Sequence, residues 1–373
     1  MAKINARSPY YITISGGTFE FADMELWIYT GEKTVDRESG TFFQLRSTAI
    51  VNVSVFEIAE IVKDYISNTF SGNYQNENVW VDYSTSKTNN GVQTPPTSFI
   101  SLRGFYGYGY FQDGANPQLD FDYLQTNKTI LKWDGEPLRV PVDTETTTNI
   151  SFYYNNSEVY SEAISSSNES DEQIKYILSD GAVDTSYQDR VLADGGTFEG
   201  SICLTEFQQQ FVGVFDVDTV YIDGANGVTV VKVQNIEECK YEPYRLTFEN
   251  KLGALQDLWF FKRADFKLTT KKENFKRNII QNGVYGISNH QDKILTKNGV
   301  EKLSLNTGFY PELYNEIFKE INLSENVWIE IGNQILPVNL DSSGLDYKTQ
   351  LNDKLINYTI DISFAFDTIN NIR

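Results

Sequence analysis

Near its end the chain reads Ile356-Asn357-Tyr358-Thr359-Ile360-Asp361-Ile362-Ser363-Phe364-Ala365-Phe366, with an apolar residue at every second position. Successive side chains of a β-strand point to opposite faces of a sheet, so a period of two collects apolar residues on one face. That face would consist of Ile356, Tyr358, Ile360, Ile362, Phe364 and Phe366. The segment therefore predicts a strand with one buried face.

The same alternation recurs in short segments that end in Gly, Asn, Asp or Ser, as strands and their turns do. These segments are residues 10–14, 24–29, 43–53, 220–222, 228–233, 244–248, 255–261, 328–331 and 335–338. The polar sequence Asp223-Gly224-Ala225-Asn226-Gly227 separates two of them, as in a hairpin. We predict a mainly β (α+β) fold with two or three β-sandwich-like or sheet domains, each covered by an occasional helix.

Two segments have the spacing of an amphipathic helix instead. The first is predicted over residues 54–67, where Ser54 and Glu57 can form a capping box before an apolar stripe that includes Ile58. The second is predicted to begin at Pro311, a favourable first position of a helix. Its stripe consists of Leu313, Tyr314, Ile317, Phe318 and Ile321. Both helices are expected to pack on a sheet.

A tetrapeptide follows each predicted helix and opens a predicted strand. It reads Glu77-Asn78-Val79-Trp80 after the first helix and Glu325-Asn326-Val327-Trp328 after the second. A helix-then-strand unit used twice would follow from an internal duplication, and four matching residues are also compatible with coincidence. In either case Trp80, Trp328, Ile58 and Ile317 are predicted to lie in hydrophobic cores.

The length of 373 residues is sufficient for two or three domains. Polar breaks near residues 141–148 and 282–299 place the predicted boundaries. The domains are expected at residues 1–145 (β-rich, with helix 54–67), 146–285 (central, β) and 286–373 (a helix with a β-hairpin).

The chain is acidic, with 51 acidic and 31 basic residues and a net charge of −20. This charge opposes general adhesion to nucleic acid or to an anionic membrane. Residues 262–277, however, include seven basic residues and only two acidic ones, Asp265 and Glu273. This segment therefore has a net charge of +5, and the rest of the chain has a net charge of −25. The seven are Lys262, Arg263, Lys267, Lys271, Lys272, Lys276 and Arg277. They are candidate subunit-interface residues, and the alternative is a solvated strand or loop.

A second candidate contact is the aromatic run Phe105-Tyr106-Gly107-Tyr108-Gly109-Tyr110-Phe111. Tyr106, Tyr108 and Tyr110 could stack on sugar rings, pack against a neighbouring subunit, or belong to a core strand. Core or subunit packing is favoured over glycan binding. The glycines of the run do not lead into a capped helix, so a phosphate-binding loop is not indicated.

Residues with catalytic chemistry are sparse. The only histidine, His290, lies in a polar context, and Cys203 and Cys239 lack the surroundings that activate a thiol. No nucleophile elbow or Walker loop is present in the sequence. We therefore expect neither an enzyme nor a cofactor; the alternative left open is a polysaccharide-degrading enzyme, because a catalytic carboxylate pair could lie among the 51 acidic residues.

Metal and membrane binding are also not expected. Asp216, Asp218 and Asp223 are close in sequence, but their spacing does not match a calcium-binding loop. The first residues do not form a secretory signal, and no stretch approaches the roughly 20 apolar residues that span a bilayer. Synthesis in a cytoplasm, with no membrane partner, is the expectation.

Several packing motifs resemble structural proteins of tailed bacteriophages, including crAss-like and other phages of Bacteroidetes. At the start these are Ala6-Arg7-Ser8-Pro9-Tyr10-Tyr11-Ile12, Glu25-Leu26-Trp27-Ile28-Tyr29-Thr30-Gly31 and the predicted helix from Phe56 to Ile66. At the end they are Leu336-Pro337-Val338-Asn339 and the segment from Leu351 to Ile360.

The resemblance implies a virion protein of the head-to-tail connector or of the tail, made in the bacterial host cytoplasm. Its partners would be further copies of itself in a ring-like homo-oligomer and neighbouring virion proteins. DNA would at most pass through the lumen of the ring. A carbohydrate-binding receptor-recognition or tail-fibre module is the alternative.

Overall fold

The structure is a computed structural model that describes eleven segments of the chain. These are residues 1–66, 69–74, 78–118, 121–133, 136–164, 174–178, 217–238, 240–280, 282–332, 334–341 and 355–369. It is 55% strand and 8% helix. The predicted mainly-β class is therefore confirmed.

The chain divides into two compact units. Unit 1 comprises residues 1–237, 247–258 and 323–325, and unit 2 comprises residues 238–246, 259–322 and 326–373. The predicted boundary after residue 145 lies inside unit 1, and the one after residue 285 lies inside unit 2.

The described residues of the first part of unit 1 form eight strands. They are β1 (Lys3–Asn5), β2 (Tyr11–Ser15), β3 (Phe21–Tyr29), β4 (Thr41–Thr48), β5 (Val53–Glu57), β6 (Val79–Asn89), β7 (Val92–Gln93) and β8 (Ile100–Phe105). One sheet has the order β1-β8-β6-β3-β4, with β7 paired to β6, and only its β1–β8 pair is parallel among those described. Met24, Leu26 and Ile28 of β3 pack with Val79 and Val81 of β6 in one hydrophobic core.

The first predicted helix begins later than expected, because residues 54–57 belong to a strand. β5 pairs antiparallel with β2, and helix α1 spans only Ala59–Lys63. Ser54 and Phe56 are buried while Val53 and Val55 are exposed, which is the alternation of a strand rather than of a helix. The predicted end at residue 67 lies outside the described residues.

The strand predicted over residues 43–53 is also wrong as a single element. β4 ends at Thr48 and β5 begins at Val53, and Val51 (φ 51°) and Asn52 (φ 60°) between them have left-handed backbone. Two consecutive residues of this conformation reverse the chain. Alternation alone could not reveal the turn, since Val51 is a residue type that favours strands.

In the residues that the structure describes, the second part of unit 1 contains seven further strands. They are β9 (Thr129–Trp133), β10 (Arg139–Asp143), β11 (Thr147–Tyr154), β12 (Ser157–Ala163), β13 (Ile174–Leu178), β14 (Thr219–Gly224) and β15 (Gly227–Ile236). Five form a sheet in the order β12-β11-β14-β15-β9, and β10 pairs with β13. Val140, Val142, Ile150, Phe152 and Ile222 contribute to a second core, separate from the first.

The predicted hairpin at residues 223–227 is confirmed. β14 and β15 pair from Thr219↔Lys232 to Gly224↔Gly227, which leaves a two-residue turn. Gly227 has φ +99°, a conformation that glycine adopts without a steric penalty.

The remaining strands form a seven-stranded sheet. They are β16 (Tyr244–Glu249), β17 (Leu255–Phe260), β18 (Asp265–Lys276), β19 (Asp292–Pro311), β20 (Val327–Ile331), β21 (Gln334–Leu340) and β22 (Leu355–Phe364). Their order is β17-β16-β20-β21-β22-β19-β18. The predicted apolar face of β22 is buried from Ile356 to Phe364. Phe366 departs from the prediction because the strand ends before it, and it is 46% exposed.

The second predicted helix is present. Pro311 ends β19, a 3₁₀ turn spans Glu312–Tyr314, and helix α2 spans Asn315–Leu323. The predicted stripe is buried at Tyr314, Ile317, Phe318 and Ile321. Leu313 was wrongly included, since it lies in the 3₁₀ turn and is 69% exposed.

Both copies of the repeated tetrapeptide lead into strands as predicted, β6 at Val79 and β20 at Val327. Glu77 of the first copy lies outside the described residues. The four predicted core residues, Trp80, Trp328, Ile58 and Ile317, are all buried. An internal duplication stays a prediction.

Candidate functional site

Two strands of unit 2 extend beyond the rest of their sheet. β18 pairs with β19 from Asp265↔Ser304 to Lys276↔Asp292, whereas β22 pairs with β19 only from Lys302 to Pro311. Residues 292–301 of β19 and their partners on β18 therefore form a two-stranded ribbon about 30 Å long. We call residues 268–301, which are the ribbon and the segment that joins its strands, the arm.

The arm contains most of the basic segment that the sequence analysis identified. Lys262, Arg263 and Lys267 precede it. The first two are paired with acids, Lys262 with Glu238 at 2.7 Å and Arg263 with Asp265 at 2.8 Å. The other five residues are exposed on β18 or directly after it and make no ion pair with any described residue. They are Lys267, Lys271, Lys272, Lys276 and Arg277.

The ribbon places like charges directly opposite each other. Lys272 pairs with Lys297 across the strands, and Lys267 pairs with Lys302. Opposed like charges destabilise an isolated strand pair by up to about 1 kcal/mol. Lys302 is compensated by Asp341 at 2.7 Å, but Lys272 and Lys297 are exposed without an acidic partner among the described residues. A bound anionic surface would remove this repulsion.

The arm also exposes apolar side chains that the sequence analysis did not consider. They are Leu268, Phe275, Ile280, Val284, Tyr285, Ile287, Ile294 and Leu295. Ile287 is 98% exposed, near the middle of the segment that joins the strands. Single exposed apolar residues are ordinary, but a series of them on one projecting element makes that element a candidate interaction site.

The apolar surface begins where the sheet core ends. Phe266 lies directly opposite Leu303, so both side chains point to the same face of the sheet. Leu303 is buried, whereas Phe266 is 59% exposed. The core-facing side of the sheet therefore continues onto β18, where the Phe266 ring contacts Tyr244 edge-on, with centroids 6.3 Å apart, and is still more than half exposed.

The aromatic run has a different environment, inside unit 1. Tyr106 and Tyr108 are buried, and the Arg7 guanidinium lies 5.7 Å and 4.8 Å from their ring centroids. Tyr110 is partly exposed, with the Lys251 ammonium 4.0 Å from its ring centroid. Cations occupy ring faces that a sugar would need, so this arrangement favours internal packing.

Glu325 is the polar partner of this cluster. It accepts a hydrogen bond from the Tyr106 hydroxyl and pairs with Lys63 at 2.9 Å and Arg7 at 3.3 Å. Burial by itself would raise the pKa of Glu325, but the hydrogen bonds from Tyr106 and Lys63 and the charge of Arg7 outweigh it and lower the pKa. Burial and then the bond to Glu325 raise the pKa of Tyr106.

Tyr106→Phe is expected to cost about 1 kcal/mol of stability, because it removes one hydrogen bond to a charged acceptor but keeps the ring. The pKa of Glu325 should rise toward its ordinary value of 4.5. Since that pKa is lowered in the folded state, the contribution of Glu325 to the free energy of unfolding is present above pH 4.5. It disappears as the pH falls through the pKa that Glu325 has in the folded protein. NMR titration of the glutamate carboxyl groups measures the shift. Tyr11→Phe, at an exposed ring, should leave both quantities unchanged.

A further charged cluster was not foreseen from the sequence. Lys3 and Arg103 lie opposite each other on β1 and β8, and both pair with Asp143 of β10, at 2.5 Å and 2.8 Å. Arg103 also pairs with Glu145 at 2.6 Å. Burial would raise the pKa of Asp143, but the bonds from Arg103 and the charge of Lys3 lower it. All three central groups are almost fully buried, so the loss of one partner would leave a buried charge of unit 1 without full compensation.

The structure describes only some of the residues considered for catalysis or metal binding. His290 is exposed on the arm, and Asp218 accepts the backbone N–H of Asn155 at 2.7 Å. Cys203, Cys239 and Asp216 lie outside the described residues. Among the residues that the structure describes, no group of three or more His, Cys, Asp or Glu side chains could hold a metal ion. The described helices are all too short or too polar to cross a membrane.

Comparison with known proteins identifies no relative: no family model matches the chain, and no curated protein matches it. The fold and the arm therefore define the class to which it can be assigned. It is a mainly β protein with an exposed, basic and partly apolar β-ribbon on an otherwise acidic chain.

Proposed function

We propose that this chain is a structural subunit of a tailed-bacteriophage virion, in a head-to-tail connector or tail ring, and that it performs no reaction. It assembles by protein–protein contacts with further copies and with neighbouring virion proteins. The observation that supports an assembly role most directly is the exposed arm. The phage assignment is supported by the packing motifs at the two ends of the sequence.

A ring of identical subunits needs contacts between unlike surfaces of the same chain. The arm contains six basic and three acidic residues, a net charge of +3, so the remainder of the chain carries −23. Unlike charges on two surfaces of one protein orient each subunit against the next. The charge distribution therefore meets a requirement of a ring.

The acidic surplus also suits a channel for DNA. Phosphate contacts dominate the affinity of proteins for nucleic acid, and an acidic wall makes few of them. DNA would pass through such a lumen without being retained. Electron microscopy of the assembled ring would test this part, since a basic lumen is incompatible with it.

Purified virions provide the decisive experiment. Mass spectrometry of particles from the phage that encodes the chain should detect it at a constant copy number, and electron microscopy should place it in a ring at the neck or tail. Its absence from purified virions would exclude the proposal. A glycan array with Tyr110→Ala tests the carbohydrate-binding alternative, because Tyr110 is the partly exposed ring of the aromatic run.

The isolated protein is expected to form a discrete oligomer whose mass is a multiple of 42.6 kDa. Because the proposed contact joins a basic to an acidic surface, raising the ionic strength should shift the equilibrium toward smaller species. Sedimentation at low and at high salt measures the shift. An oligomer that salt strengthens would indicate an apolar interface instead.

A further inference from the structure

The geometry points to the arm as a docking element that binds the acidic surface of a second copy of this chain. The inference rests on the proposed assembly function for its partner and adds the contact that makes the assembly. Three independent features of the arm carry it: its exposure, its charge and its apolar side chains.

Exposure is the first feature. On β18 from Leu268 to Lys276, every residue except Thr269 is exposed, although Phe275 is exposed by only 39%. Residues 292–297 of β19 are all exposed as well. A two-stranded ribbon without a covered face is marginally stable in water. A partner that covers it would supply the missing burial.

Charge identifies the partner. The arm is basic, and the opposed Lys272 and Lys297 repel each other until an anionic surface approaches. The remaining residues of every other copy carry −23, so a second copy provides such a surface at the same concentration as the arm. An anionic membrane would attract the lysines too, but it would repel this acidic remainder.

Apolar side chains convert attraction into a specific contact. Val284, Tyr285 and Ile287 lie in the segment that joins the strands, at the end of the ribbon distant from the sheet. All three are at least 60% exposed. Apolar anchors that become buried at the centre of an interface provide most of its binding energy, while surrounding charges set orientation.

An alternative reading assigns the lysines to protection of a sheet edge. β18 is the last strand of its sheet, and lysines on edge strands prevent pairing with other chains. Glutamate protects an edge as well as lysine does, because either charge must be desolvated on pairing. Charge reversal therefore distinguishes the two hypotheses. Glutamates in place of the lysines would still protect the sheet edge from pairing, but they would abolish docking to an acidic surface.

Single and double charge-reversal variants distinguish docking from changes in the stability of the ribbon. Lys272→Glu turns the opposed pair into Glu and Lys, which stabilises the ribbon itself while weakening docking. The double variant Lys272→Glu/Lys297→Glu keeps a like-charge pair, so the internal strain of the ribbon is unchanged. Lys128→Glu/Lys240→Glu is the matched control, with the same change of net charge at two exposed lysines outside the arm.

A third variant removes the ribbon. Replacing residues 272–297 by Asn-Gly joins Lys271 to Asn298, which already face each other across the strands, by a favoured two-residue turn. Asn298 keeps its hydrogen bonds to Asp367 and Ile369. The shortened chain lacks most of the arm, including both opposed lysines and the connecting segment, but retains the acidic surface, so it should bind full-length copies and terminate their assembly.

Sedimentation of each full chain measures the result, with circular dichroism to verify the fold. We expect the double reversal to weaken self-association roughly tenfold or more, and the shortened chain to be monomeric, while the control matches the unmodified protein. If the shortened chain keeps the oligomeric mass, the docking inference is overturned and the assembly function stands. If it fails to join full-length copies, the arm binds another arm and the inference is likewise overturned.

Two further outcomes are informative. The full-length protein could be monomeric and float with vesicles of phosphatidylglycerol, and removal of the arm could abolish this flotation. That result would show that the arm binds a membrane rather than a second copy. The protein could also form oligomers that depend on the arm and yet be absent from virions. That result would exclude the proposed function but support the docking inference.

Discussion

Asp143→Asn is expected to lower the free energy of unfolding of unit 1 by about 3–5 kcal/mol. The substitution preserves the size of the side chain but removes the charge that compensates Lys3 and Arg103. Both cations have side chains less than 5% exposed, so water cannot replace the lost partner. Arg103 keeps its pair with Glu145 at 2.6 Å, but a buried cation that loses its most buried acidic partner costs more than the pair contributed.

The pH dependence has a defined direction. The pKa of Asp143 in the folded protein lies below its ordinary value of 3.8. Its contribution is therefore complete above pH 3.8 and disappears as the pH falls through the folded pKa. The stability difference between the unmodified protein and the variant should shrink in the same interval.

Calorimetry at neutral and acidic pH measures both effects, with Asp341→Asn as the control. Asp341 pairs with Lys302 at 2.7 Å, but both side chains are partly exposed, so its loss should cost only about 0–1 kcal/mol. Equal costs at the two positions would contradict the assignment of the Asp143 cluster as a buried stabilising network.

Phe318→Ala is expected to lower the free energy of unfolding of unit 2 by about 3–5 kcal/mol. Phe318 of α2 is fully buried and stacks on Tyr358 of β22, with ring centroids 3.8 Å apart. Removal of the ring leaves a cavity between the helix and the sheet, which rigid strands cannot close.

Urea unfolding followed by the fluorescence of Trp259 and Trp328, both in unit 2, measures this cost. Leu313→Ala is the matched control, because Leu313 belongs to the same predicted stripe but is exposed. It should change stability by less than about 0.5 kcal/mol. A comparable loss at both positions would show that α2 does not pack as described.

Local patterns predicted much of the fold. The alternation from Ile356 to Phe364 identified β22 and its buried face, and the stripe from Tyr314 to Ile321 identified α2. Both signals depend on side-chain periodicity, which neighbouring residues in the sequence express directly. The prediction failed at Ser54, where the same residues satisfy a helix cap and a strand, and pairing with β2 decides between them.

The candidate site was predicted only in part. The basic residues of β18 are visible in the sequence as a departure from an acidic composition. The sequence does not show that these residues lie on a projecting ribbon, because the ribbon begins where β22 stops pairing with β19. Residues 282–299 were predicted to contain a domain boundary, and this stays a prediction, since Asn and Gly mark a loop without indicating what the loop connects.

The sequence by itself determined the strand-rich class, the principal core residues and the separation of charge between residues 262–277 and the rest of the chain. Each of these properties depends on residue types and their spacing within a short stretch of sequence. Only the tertiary structure decided that Asp143 meets Lys3 and Arg103, that Arg7 covers Tyr106, and that β18 and β19 extend beyond their sheet. Such contacts join residues far apart in the chain, and their partners are selected by packing and strand register.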